Sequence, residues 1–198
     1  MSLPLPDVTG LLLAGGRGSR LGGNKLLLDF HGQPLIYWAA KALVQTCQRV
    51  LLVTNNPESF QFLGLPMVAD IYRDCGPLGG IHAGLAAQDN PHCLVVGADM
   101  PFIDPRVLKA LTNYRWGWDL VVPSHGGLPE YLHAVYSRRC LPAMEECLNQ
   151  GKRRIRDMAS LVKERMVPAD RLTQRPEQIF FNINTPADLE RGGVLFCP

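Results

Sequence analysis

Residues Leu11 to Lys25 read Leu-Leu-Leu-Ala-Gly-Gly-Arg-Gly-Ser-Arg-Leu-Gly-Gly-Asn-Lys, an apolar run that breaks into a loop with five glycines, two arginines and a lysine. A glycine-rich turn leaving a buried strand exposes backbone N–H groups with no side chain in the way, and Arg17, Arg20 and Lys25 add cations, so the chemistry is phosphate binding. Two familiar phosphate motifs fail on spacing. A P-loop needs a Ser or Thr directly after its lysine to reach a metal, and here Leu26 follows Lys25. A dinucleotide loop needs a third glycine and an acid at the end of the second strand. Leu21 stands in place of that glycine, and the second strand-like run, Val50 to Val53, ends in Thr54-Asn55-Asn56.

The acid best placed for chemistry is Asp99, which follows the apolar run Cys93-Leu94-Val95-Val96-Gly97-Ala98. At the tip of a central strand beside the phosphate loop, it supplies one of the one or two carboxylates that magnesium takes alongside phosphate oxygens. The alternative is a turn cap before Pro101. Asp70, at another strand end, is a second acid suited to the base, the ribose or a metal. Cys75-Gly76-Pro77-Leu78-Gly79-Gly80 is a second glycine cluster, leading into a helix from Ile81 to Ala87. It either lets main chain approach a flat base or is an ordinary turn.

The elements that must position these groups alternate along the chain. Val8–Ala14, Val50–Val53, Pro66–Ala69, Cys93–Ala98 and Leu120–Pro123 read as strands apolar on both faces. Leu35, Ile36, Ala39, Ala40 and Leu43 form a helical face behind Pro34, and Val107, Leu108 and Leu111 form another behind Asp104, a good N-cap. This βαβ series implies an α/β fold, a three-layer Rossmann-like arrangement of mostly parallel sheet with helices on both faces. Ligands then bind outside the carboxyl ends of the strands, where the Gly15 loop, Thr54-Asn55-Asn56, Asp70 and Asp99 all fall.

With 198 residues, 46% apolar and 19% charged, the chain suits one domain spanning 1–198, its nucleotide-binding half over about 8–115 and its acceptor-binding half over about 116–198. A net charge of +2 is too small for electrostatic nucleic-acid binding. No basic-apolar leader and no apolar stretch of about 20 residues is present, so the expectation is a cytoplasmic protein with no membrane partner. The six cysteines at 47, 75, 93, 140, 147 and 197 lack disulfide or zinc spacing and read as reduced thiols. His31, His82, His92, His125 and His133 are scattered and read as surface or structural residues.

Leu13-Ala14-Gly15-Gly16, Gly22-Gly23 shortly before Lys25, Gly76-Pro77-Leu78-Gly79-Gly80, Asp99-Met100-Pro101-Phe102 and Asn182-Ile183-Asn184-Thr185-Pro186 occur in the order seen in the molybdenum cofactor guanylyltransferases, which this chain resembles over about residues 8 to 190. The resemblance implies transfer of GMP from GTP to the phosphate of molybdenum-molybdopterin, with release of pyrophosphate. It implies that Leu13, Ala14, Gly15, Gly16, Lys25 and Asp70 contact GTP, and that Asp99 contacts GTP and binds magnesium. The family's asparagine after the second strand falls on Thr54 or Asn55. Arg20 and Lys25 would hold the departing pyrophosphate. Molybdenum cofactor biosynthesis proteins or molybdoenzyme chaperones are the implied transient partners. Asn24-Lys25-Leu26 departs from the family's Asp-Lys-Gly and resembles the related CTP-using cytidylyltransferases. A sugar- or alditol-phosphate nucleotidyltransferase and a non-catalytic nucleotide-binding module remain the alternatives.

The second half is less explicit. Pro129 to Tyr136 alternates like a strand, and Arg138 to Asn149 has a helical pattern. Lys152, Arg153, Arg154 and Arg156 either receive the acceptor phosphate or form a solvated helix face. Asn182 and Asn184 would point the same way on a strand and could hydrogen-bond the pterin; an Asn-capped turn into a helix at Pro186 is the competing account.

Overall fold

A computed structural model describes residues 3–15 and 25–195. The first strand, β1 (Leu5–Leu13), is buried from Val8 onward and lies at the middle of the molecule. Its side chains alternate between two apolar surfaces, with Leu12 on one and Leu11 and Leu13 on the other, the period-2 pattern of a strand covered on both sides.

A small hairpin, β2 (Asp29–Phe30) with β3 (Gln33–Pro34), leads into α1 (Leu35–Thr46), and then come β4 (Cys47–Val53) and β5 (Met67–Val68). Helix α2 (Gly76–Ala86), strand β6 (His92–Gly97) and helix α3 (Pro105–Thr112) complete the first half. Asp104 caps α3 by accepting the Arg106 N–H at 2.8 Å. The Arg106 guanidinium, and after it that backbone bond, hold its carboxyl below the usual range. The second half contributes β7 (Leu120–His125), β8 (Leu128–Pro129), β9 (His133–Ser137), α4 (Leu141–Asn149), α5 (Ile155–Ala159), β10 (Glu164–Pro168), α6 (Pro176–Ile179) and α7 (Pro186–Leu195).

The main sheet runs β10-β7-β9-β6-β1-β4-β5, with β8 beside β7. Its pairings are parallel except those of β9 with β6 and β7 and that of β8 with β7. Helices α1 and α3 cover one face and α2 and α4 the other. The mostly parallel three-layer α/β expectation therefore holds.

Several local expectations need correction. The chain does not continue as an unbroken parallel series, because Gly126 and Gly127, both at positive φ (57° and 77°), turn β7 back on itself and send β9 down the sheet against its neighbours. Such a two-residue turn with φ > 0 at both positions matches the twist of a hairpin. The alternating run from Pro129 to Tyr136 is thereby divided, Leu128–Pro129 pairing with β7 and His133–Ser137 with β6. The helix expected from Ile81 begins five residues earlier, at Gly76, its glycines tolerated because tertiary packing outweighs propensity. Edge strand β10 was not expected; Glu164-Arg165-Met166-Val167-Pro168 buries only Val167 and carries little apolar signal. Cys47, Cys93, Cys140 and Cys147 are buried free thiols and Cys75 is a half-buried one, while Cys197 lies outside the described residues. No helix among the described residues is long and apolar enough to cross a membrane.

His133 on β9 is fully buried with no hydrogen-bond partner at either ring nitrogen, packed edge-on against Phe180 at 5.0 Å. Burial pushes its pKa down from 6.5 to about 3. Between those values the unfolded chain binds a proton that the native ring refuses, so stability falls as pH drops below about 6.5. The His133→Leu variant should lack this component. Denaturant titrations at pH 7.5 and pH 5 should show the wild type losing about 2 kcal/mol more than the variant, at about 1.4 kcal/mol per pH unit.

Candidate active site

The tips of four adjacent parallel strands, β6, β1, β4 and β5, are stitched together just beyond their last sheet pairs. Ala14 N donates to Val53 O at 3.0 Å, Ala98 N to Leu13 O at 3.1 Å, and Thr54 N to Val68 O at 2.9 Å. Their continuations open into a cavity of about 850 Å³, whose lining includes Ala14, Gly15, Lys25, Asn55, Asp70 and Asp99. Its position outside the carboxyl ends of a doubly wound sheet is where such folds bind ligands.

Lys25 enters from the short 3₁₀ turn Lys25–Leu27, anchored by the buried Leu26. Its ammonium donates to Asp99 Oδ2 at 2.7 Å, to Asn184 Oδ1 at 2.7 Å and to the Ile183 carbonyl at 3.2 Å. Both charged side chains are about one-fifth exposed, so the pair is partly desolvated yet open to a ligand. Ile183 N in turn donates to Asp99 O at 3.0 Å, fastening the C-terminal segment to the tip of β6. Residues separated by 74 and 159 positions in the chain thus meet at one cation.

On the other side of the cavity Asn55 and Asp70 form a reciprocal clasp. Asn55 Nδ2 donates to Asp70 Oδ2 at 2.8 Å, and Asp70 N donates to Asn55 Oδ1 at 3.0 Å. Gly76, Pro77 and Gly80 of α2 complete this wall. Close approach is what requires glycine at 79: a Cβ there would stand 2.9 Å from the Tyr72 carbonyl oxygen and 3.1 Å from Cys75 Cβ.

The structure therefore brings Leu13, Ala14, Gly15, Lys25, Asn55, Asp70 and Asp99 around one cavity and adds Asn184 through Lys25. Gly16 and Arg20, together with Arg17, Gly22, Gly23 and Asn24, lie outside the described residues. The expected strand at Asn182–Asn184 is absent, since residues 181–184 have no regular secondary structure. Asn182 Nδ2 bonds back to the Phe180 carbonyl at 3.1 Å while Asn184 reaches Lys25. The cap of α7 is not an asparagine either. Asp188 Oδ2 accepts the Thr185 N–H, and Thr185 Oγ1 accepts the Asp188 N–H, a reciprocal box.

Phe60, Asp74 and Leu132 also line the cavity and were not expected. Only Asp74 had a signal, its place just before the glycine cluster; Phe60 and Leu132 arrive through tertiary packing. Among the described residues no group of three His, Cys, Asp or Glu side chains is arranged to hold a metal. The Asp99 carboxylate at the edge of this cavity is nonetheless a donor that fits a hard cation completing its shell with water and phosphate oxygens.

A cavity at the strand tips, with glycine-rich main chain on one wall and a lysine–aspartate pair at its edge, belongs on this fold to the nucleotidyltransferases. Residues 10–166 match the MobA-like NTP transferase domain, and the chain belongs to that family. It is 38% identical over 191 residues to a probable molybdenum cofactor guanylyltransferase from Pelotomaculum thermopropionicum, covering 96% of this chain and 93% of that one. It is 33% identical to a molybdenum cofactor guanylyltransferase from Desulfosudis oleivorans, covering 93% of each. Among solved structures, molybdopterin-guanine dinucleotide biosynthesis protein A from Archaeoglobus fulgidus superposes with a TM-score of 0.83 at 29% identity, covering 94% of this chain and 97% of that one.

Replacing Gly79 by alanine forces a methyl group against the Tyr72 carbonyl and displaces the segment between Asp70 and α2. Gly79→Ala should destabilise the fold by about 1–3 kcal/mol and weaken nucleoside triphosphate binding. Denaturant unfolding and calorimetric titration measure the two effects.

Proposed function

We propose that this protein transfers GMP from GTP to the terminal phosphate of molybdenum-molybdopterin, forming the guanine dinucleotide cofactor and pyrophosphate. The observation that carries the reading is the Lys25–Asp99 contact of 2.7 Å at the edge of a cavity walled by glycine-rich main chain, in a chain whose relatives are named for this reaction. Those names favour GTP over the cytidylyl, sugar- or alditol-phosphate and non-catalytic alternatives.

In this reading the acceptor phosphate oxygen attacks the α-phosphorus in line. A new P–O bond forms as the bond to the β-phosphate bridging oxygen breaks, and the electron pair leaves with pyrophosphate. The attacking phosphate is already anionic near neutral pH, so positioning and charge neutralisation carry the catalysis. Main chain at Leu13, Ala14, Gly15 and Gly16 meets the nucleotide. The Asn55–Asp70 clasp presents polar groups to ribose and base. Lys25 neutralises charge developing on the phosphates and, with Arg20, holds the departing pyrophosphate. Asp99 would hold magnesium, which when bound draws charge from the phosphate oxygens. Asn182 and Asn184 would meet the acceptor, and residues from about 116 onward would form its half of a single domain.

Asp99→Asn and Lys25→Met should each lower kcat by about 100-fold or more, the scale of losing one transition-state contact, with far-ultraviolet circular dichroism unchanged. Pyrophosphate release, followed with each nucleoside triphosphate with and without molybdenum-molybdopterin, should require GTP and the acceptor together. A preference for CTP, or full turnover by the Asp99 variant, would overturn the assignment.

A further inference from the structure

Strand order separates the two sides of the Lys25–Asp99 contact. Asn55 and Asp70 follow β4 and β5 on one side of β1, whereas β9 and β7 lie beyond β6 on the other. A reaction that joins two phosphates at Lys25 needs one substrate on each side, and the β9–β7 side is where the acceptor's ring system must lie.

At that end of the sheet stand His125, the last residue of β7, and Glu130, in the turn before β9. The Gly126–Gly127 turn and the pairing of His125 with Leu128 and of Ser124 with Pro129 fix them in register. Glu130 N donates to Pro123 O at 2.9 Å, and Glu130 O accepts from His133 N at 3.0 Å, so its backbone is tied at both ends. The half-buried Glu130 carboxylate makes no hydrogen bond among the described residues, and burial raises its pKa while nearby His125 opposes the rise. A carboxylate partly removed from water without protein donors carries a cost, which a ligand that brings paired N–H groups relieves.

The His125 ring lies over Phe180 at 6.1 Å with the planes 30° apart, and Phe180 rests edge-on against the buried His133 ring at 5.0 Å. His125 is therefore a half-buried flat ring backed by an aromatic stack, which suits another flat ring on its open side. Leu132, two residues beyond Glu130, lines the cavity and accepts the Gly97 N–H through its carbonyl at 2.9 Å. Continuity with the Asp99 strand is thus direct. Two strand spacings of ~4.8 Å separate the tips of β6 and β7, a span suited to a fused pterin with a phosphate-bearing arm.

We infer that Glu130 and His125 form the edge that reads the acceptor's pterin ring, the carboxylate accepting from the 2-amino group and the adjacent ring N–H while the imidazole lies against the ring face. This rests on the acceptor proposed above being a 2-amino-4-oxopteridine. A carboxylate pairs with that double-donor edge in two parallel hydrogen bonds, a charge-assisted and geometrically selective arrangement, and rejects a pteridine with a carbonyl in place of the amino group.

The test uses steady-state transfer by the full chain, with pterin and lumazine (its 2-oxo counterpart) as competitors of molybdenum-molybdopterin. Wild type should be inhibited at least tenfold better by pterin than by lumazine. Glu130→Gln should raise the acceptor KM at least tenfold, leave the KM for GTP within twofold, and abolish the preference for pterin. His125→Ala should weaken pterin and lumazine alike, and His125→Phe should recover most of that loss. Equal inhibition of the wild type by the two pteridines, no inhibition by either at its solubility limit, retention of the preference in Glu130→Gln, or a rise in the KM for GTP instead would each overturn the inference. Failure of the wild type to use GTP with the acceptor would instead overturn the function proposed above, so the two failures are separable.

Discussion

The arrangement of the site depends on the saturation of one ammonium group. Lysine has three donors and no acceptor, and Lys25 spends them on Asp99 Oδ2, Asn184 Oδ1 and the Ile183 carbonyl. A phosphate oxygen cannot be added to that set; it has to displace a member of it. The C-terminal segment and the tip of β6 are consequently tethered to each other through Lys25, by bonds that an incoming anion would have to exchange. The polar groups at the centre of the site satisfy each other before any anion arrives, which offsets the desolvation cost of holding a cation and a carboxylate in a partly buried position.

The level of the Lys25–Asp99 contact is set by β1, an interior strand of the sheet between β6 and β4. The strand supplies two neighbours in parallel register, β4 and β6, whose tips reach the same level because Leu13 pairs with both Val53 and Gly97. Lateral hydrogen bonds from Ala14 and Ala98 carry this alignment past the ends of the strands, where irregular chain would otherwise diverge. The cavity inherits its floor from the register of the sheet and one side wall from the glycine-rich start of α2.

Legibility in the sequence follows this division of labour. Strands that bury apolar residues on both sides, such as β1, β4 and β6, announce themselves as continuous apolar runs, α1 announces itself by a helical period of apolar residues, and glycine-rich segments leave a compositional mark. Lys25, Asp70 and Asp99 could be singled out because each sits where a strong local pattern ends. Asn184 could be singled out too, but as a strand residue; its actual partner is 159 positions away, and the loop that delivers it has no periodicity to read. The reversal of β9 was visible only as a Gly-Gly pair, and β10 was invisible because an edge strand with a single buried residue carries no alternation. Phe60 and Leu132 reach the cavity through packing that local sequence does not encode.

The same contrast separates the two substrates. A nucleotide can be held largely by main chain, because phosphates accept from N–H groups and a base edge can be matched by peptide groups, so in the proposed reading its site would be written in glycines. An acceptor with a rigid fused ring would be recognised by side chains set at particular angles, and in the proposed reading those angles come from a hairpin and a returning C-terminal segment distant in sequence. His125, Glu130, Phe180 and Asn182 have no shared motif; they share only the end of the sheet to which β7, β9 and the segment before α7 bring them. In the proposed reading, variation in which side chains occupy those positions would alter the acceptor while leaving the triphosphate side intact, because among the described residues the two sides meet at the strand carrying Asp99 and the lysine that holds it.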